Sequence, residues 1–165
     1  IDAPYVELYR RGYIGTTTVV ARRDAVLAAG GFDTGLPNAQ DFDLWLAMLR
    51  SPGTNFEVFD EALSRYHITA GSIMSHIERR RRCCLEIALR YAPDLKCHPG
   101  MPLVSLWFRV LAIHKEAVAA HRTRGETTWA IRAVLLAPAA MVSATLRYLA
   151  GQRGVKRTGL KTMAR

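Results

Sequence analysis

At 165 residues the chain is long enough to bury a core, and half of it is apolar, which excludes a disordered segment. Its formal charge of +9 and isoelectric point of about 10.0 point to a polyanionic neighbour: nucleic acid, acidic lipid or a phosphorylated substrate. Cys83, Cys84 and Cys97 are too few for a disulfide framework, and Cys97 beside His98 fits no zinc spacing, so a reducing compartment is expected.

Residues 1–11 are polar and mixed, a loop or short helix without the apolar stretch of a signal peptide. The chain opens without methionine inside an ordered-looking region, so a fragment lacking its N-terminal part is expected. Ile14, Thr16, Thr17, Thr18, Val19 and Val20 are β-branched, and residues 13–21 read as a strand entering a core. Asp24 suits the N-cap of a short helix over 25–29, with Gly30 or Gly31 as its stop. The loop that follows has glycines, Pro37 and Asn38 for backbone freedom, with Phe32 and Leu36 to pin it.

Phe42, Trp45, Leu46 and Leu49 give one apolar face to a helix over 41–50, stopped by Ser51-Pro52-Gly53. Asp43 in its first turn favours the positive helix end. Residues 56–59 and 63–68 read as short strands, so the pattern to this point is α/β with short connections. A helix over 73–92 carries the run Arg79–Arg82. Its spacing puts Arg81 on the face of Ile77, Cys84 and Ala88, where a guanidinium must snorkel or meet an anion.

Pro93 ends that helix, and residues 95–102 form a linker. Two strongly apolar helices follow, over 103–124 and 127–150. Residues 133–146 carry no charge, yet the run is short for a bilayer span, which needs roughly 20 residues. Residues 147–165 then hold six basic side chains and no acid. An apolar helix pair with a basic tail suits an anionic membrane surface, the alternative being a helical cap with a solvated tail. Trp45, Trp107 and Trp129 lie on apolar helical faces, and core packing is expected of all three.

Asp41 and Asp43 form an Asp-Phe-Asp triplet. Taken alone, such a pair could hold a divalent ion with a nucleotide phosphate, or Asp41 could simply cap its helix. Context adds more. Gly30-Gly31-Phe32-Asp33 comes first, then Gln40-Asp41-Phe42-Asp43-Leu44-Trp45-Leu46, then Ser64-Arg65-Tyr66-His67-Ile68-Thr69-Ala70-Gly71-Ser72. In this order, over about residues 13–75, they resemble the C-terminal half of family 2 glycosyltransferases of the GT-A fold.

The resemblance implies an α/β fold with short strands over 1–95, the acceptor-side half of a GT-A domain, followed by a helical, basic extension over 96–165. It implies an inverting transferase that moves one sugar from a nucleotide-diphosphate sugar to an acceptor hydroxyl on a glycan, a lipid-linked molecule or another acceptor. Asp41 would be the general base. Gln40 stands where the family usually has Glu, and would bind the acceptor. Gly31, Phe32 and Asp33 would build the acceptor-side loop, with Asp33 equally suited to a turn. Arg65 would clamp a phosphate or lie on the surface, and Gly71 and Ser72 would shape a loop over the diphosphate. His67 would lie near the diphosphate or ligate its Mg2+ or Mn2+, whose main ligands belong to a nucleotide-binding half expected before Ile1. Without that half the chain alone is expected to be inactive. A Gln-x-x-Arg-Trp element is absent, which argues for single-sugar transfer.

The implied setting is cell-envelope polysaccharide synthesis in the cytoplasm, peripheral on the inner membrane face. Two readings compete with it. One is a basic helical module that binds anionic lipid or nucleic acid without catalysis. Nucleic acid is disfavoured, because the basic tail has only Tyr148 and no reading motif. The other is a helical scaffold in which Asp41 only caps a helix.

Overall fold

The structure is a computed structural model that describes residues 3–12, 14–54, 56–59, 61–62, 64–65 and 76–151. Tyr5, Leu8 and Tyr9 fall on one side of α1 (Pro4–Arg11), where all three are buried. Pro4 opens the helix, where its missing N–H costs nothing. Gly12 closes it in the left-handed conformation (φ 59°), donating its N–H to the Leu8 carbonyl at 2.7 Å. The Tyr9 hydroxyl donates to the Ala88 carbonyl at 2.6 Å and the Tyr5 hydroxyl to that of Tyr91 at 3.2 Å, pinning α1 to α4 (Ile77–Tyr91).

The α/β expectation is overturned: among the described residues every regular element is helical and there is no strand. Residues 14–21 do not form a strand. Thr16–Thr18 make a single 3-10 turn, Ile14 and Val19 lean on the core, and Val20 is fully exposed. Residues 56–59 are irregular, with Val58 and Phe59 exposed. β-branched residues become a strand only where a second strand completes their hydrogen bonds, and no described segment does so. Of the strand expected over 63–68, Leu63 and 66–68 lie outside the described residues.

The short helix α2 (Arg23–Ala28) begins earlier than expected. Asp24 is therefore inside it and pairs with Arg22 at 2.6 Å instead of capping. Ala39, at φ 60°, turns the chain into α3 (Gln40–Leu49). Such a conformation is costly for a residue with a Cβ. Phe42, Leu44, Trp45, Leu46, Ala47 and Leu49 are all buried, so α3 lies inside the molecule, contacted by α1, α2 and α4. Arg81 of α4 meets the anion its position demanded, Glu78 at 2.9 Å.

After α4 a 3-10 turn (Ala92–Cys97) leads to α5 (Pro102–Thr123). A tight turn at Gly125 (φ 71°) reverses the chain into α6 (Thr127–Leu149). The main core joins α1, α3, α4 and α5, with Ala144 reaching in from α6. Trp45 belongs to it. The core expectation fails for Trp107 and Trp129, which are 40 % and 42 % exposed.

Candidate active site

The head of α3 gathers the carboxylates that the sequence singles out, and packing gives them opposite fates. Asp41 is half-buried. Its Oδ1 accepts the Phe42 N–H at 2.8 Å, and its Oδ2 accepts the Thr16 hydroxyl at 2.9 Å. No cation pairs with it among the described residues. A carboxylate offers about four acceptor positions, so this one is oriented and still able to take a further hydrogen bond.

Asp43, two residues along, points inward and is fully buried. Its Oδ1 lies 2.8 Å from Nη1 of Arg90, and the same nitrogen lies 2.8 Å from Oδ2 of Asp33. Burial opposes the charge on Arg90, but the Asp33 and Asp43 carboxylates outweigh it and raise its pKa above the ordinary guanidinium value. Asp33 Oδ1 also accepts the Gly35 N–H at 3.0 Å, so this aspartate is a turn residue tied to a buried ion pair. Of the two roles expected for it, the turn is the one this placement matches, and only 3 % of it is exposed.

Gln40 donates its side-chain N–H to the Leu36 carbonyl at 2.7 Å, bracing the loop that leads into α3. Gly31 takes a left-handed conformation (φ 65°). Phe32 is exposed and meets Trp45 edge-on, ring centres 6.5 Å apart. Arg65 is exposed. His67, Gly71 and Ser72 lie outside the described residues. Gly31, Phe32, Gln40 and Asp41 thus share the loop and helix head.

The ligands expected for Mg2+ or Mn2+ were His67, which lies outside the described residues, and a half expected before Ile1. Among the described residues no group of three or more His, Cys, Asp or Glu side chains is placed to hold a metal, and Asp33 and Asp43 already serve Arg90.

Two residues escaped the sequence reading. Thr16 was hidden by its strand-like neighbours. Arg90 did leave a signal: it lies three residues after Ile87 and seven after Cys83, both on the buried side of α4. A basic residue in that register needs a buried acid.

Two clefts lie away from Asp41. One, of about 330 Å³, includes His76, Glu78, His121 and Trp129; the other, of about 650 Å³, lies between Arg10 and Arg11 of α1 and Phe108 and Lys115 of α5. In the first, His121 sits between Glu126 Oε2 at 2.6 Å and Glu78 Oε1 at 3.5 Å. Both glutamates therefore serve to tie the turn between α5 and α6 to the start of α4. Compared with known proteins, the chain matches no family model, no curated protein and no solved structure.

Proposed function

We propose that Asp41 is the general base of an inverting glycosyl transfer, in which one sugar passes from a nucleotide-diphosphate donor to an acceptor hydroxyl. The observation that carries this reading is the contrast at the head of α3. Asp33 and Asp43 are spent on a buried arginine, whereas Asp41 is half-buried, is held by two donors and pairs with no cation among the described residues. The motifs around it, from Gly30-Gly31-Phe32-Asp33 to Gln40-Asp41, supply the reaction class by resemblance.

In this reading the acceptor O–H donates to Asp41. As the acceptor oxygen forms its bond to the anomeric carbon, its proton passes to the carboxylate. The bond from that carbon to the diphosphate oxygen breaks on the opposite face, and the nucleoside diphosphate leaves with the electron pair. Thr16 is a positioning residue that fixes the Asp41 rotamer, and Gln40 holds the loop.

The test is Asp41→Asn in the intact protein, assayed as nucleoside diphosphate released from a panel of nucleotide sugars, with donor binding measured separately. Loss of a general base lowers kcat by about a hundred- to ten-thousandfold. Donor affinity is expected to stay unchanged, and Thr16→Val to cause a smaller loss of kcat. Unchanged turnover in Asp41→Asn removes the assignment.

A further inference from the structure

Helix α6 is built inside out. Ala130, Ala133, Ala137, Ala140 and Ala144 recur at alternating spacings of three and four residues, which makes one seam along the helix. Ala130, Ala133 and Ala144 on that seam are buried, and the α5–α6 pairing is the most extensive in the molecule. The large side chains face the other way. Ile131, Leu135, Val142, Leu146 and Leu149 form a second stripe, each more than half exposed, with Val134 at its edge. Only 17 % of the helix's most apolar window is buried.

A helix packed in water puts its large apolar groups inside, because buried area is what stabilises it. Small residues at the helix contact with large ones outward is the arrangement of helices solvated by lipid tails. From α5, Trp107 reaches across to donate its indole N–H to Thr145 at 2.9 Å, beside Leu146, and itself stays 40 % exposed. An indole whose N–H is satisfied and whose ring is open suits the boundary between headgroups and tails.

Charge selects among the candidate occupants. From Thr127 to Arg165 the chain has no acidic residue, while Arg132, Arg147, Arg153, Lys156, Arg157, Lys161 and Arg165 are basic. Two copies meeting through this face would bring like charges together; an anionic bilayer would neutralise them.

α6 is the one helix among the described residues that is long and apolar enough to cross a membrane. Crossing fits it poorly. Arg132 and Arg147 bracket an uncharged run only about 21 Å long, against roughly 30 Å of hydrocarbon. Its other side is also committed to α5.

We infer that the exposed stripe of α6, with Trp107 of α5, is a surface that lies in the interface of an anionic membrane, parallel to its plane. This inference does not depend on the role of Asp41.

The test uses the full chain and phosphatidylcholine vesicles with and without phosphatidylglycerol, read by flotation. Binding is expected to the anionic vesicles and to weaken as salt is added. The Leu135→Glu/Leu146→Glu variant, with its helical circular dichroism and melting temperature retained, should bind at least about tenfold more weakly. Neutralising Lys156, Arg157 and Lys161 to Gln should cost about a hundredfold while leaving the apolar stripe intact. Bromine-labelled lipid tails should quench Trp107, shown by the signal lost in Trp107→Phe. Three results overturn the inference: no binding at low salt, equal binding by the glutamate variant, or a soluble dimer that the glutamate variant dissociates and that ignores vesicles.

Discussion

A single guanidinium nitrogen, Nη1 of Arg90, serves two aspartates from different segments, Asp33 in the loop and Asp43 in α3. None of the three side chains is more than 7 % exposed, so water screens little of the interaction. Removing the cation leaves two buried carboxylates without their counter-charge. Arg90→Met is expected to cost about 3–5 kcal/mol of stability, measured by urea unfolding. Adding Asp33→Asn and Asp43→Asn to that variant should recover much of the loss; a neutral Arg90→Met would mean the pair contributes nothing. This network was only partly legible. Both aspartates stood out in the sequence, but their partner lies 57 and 47 positions away. Helical periodicity reports which side of α4 faces the core, not which acid waits there. The place of Asp41 at a helix start was legible because its causes, a loop and a helix head, are local; its bond from Thr16, 25 positions away, was not.

The elements that the sequence placed well are those whose causes are local. The helices expected over 41–50, 103–124 and 127–150 occur as Gln40–Leu49, Pro102–Thr123 and Thr127–Leu149, because repeat spacing and Pro or Gly punctuation lie within the segment. The strands expected over 13–21 and 56–59 depended on hydrogen bonds from elsewhere, which the described residues do not provide. Helix ends carry their own tertiary information. A Cβ on Gly12 would stand 2.8 Å from Nη1 of Arg109, in a conformation that disfavours side chains in any case. That guanidinium is itself 1 % exposed and lies 4.5 Å over the Phe42 ring, so it has little room to yield. Gly12→Ala should therefore cost at least about 1–2 kcal/mol, a fall in Tm of about 2–8 °C. Gly15→Ala is the control: it has ordinary backbone and open space, and should melt with the parent. Equal effects of the two would refute the argument.

Across the whole molecule, Glu78 and His114 make folding sensitive to acid. His114 is buried in α5, its Nδ1 2.8 Å from the Ala133 carbonyl of α6. Burial holds the imidazole pKa below its ordinary value, and Arg81 adds to this against the opposing pulls of the Ala133 carbonyl and Glu78. Burial would raise the Glu78 carboxyl, but Arg81 and His121 outweigh it and hold it low. Both groups have folded pKa values below their unfolded ones, so each contributes fully above the unfolded value and loses that contribution as pH falls through the folded one. His114 acts first, below about pH 6.5, and Glu78 below about pH 4.5. Unfolding by urea should therefore need less denaturant at about pH 5.5 than at about pH 7.5. In His114→Gln that difference should shrink; an unaltered difference would exclude His114 as its source. At this scale the basic balance was plain from composition. The outward face of α6 was not, because a helix apolar on every side does not announce which side is covered.

The alanine seam of α6 bears on how the chain can drift. Ala130, Ala133 and Ala144 are buried where α6 packs on α5, so larger side chains there overpack the pair. On the outward stripe each large side chain is more than half exposed, so a change of apolar residue there disturbs little packing. An alignment of related chains is expected to show the outward bulky positions of this helix varying more than its buried alanines; equal variation would refute the seam's role.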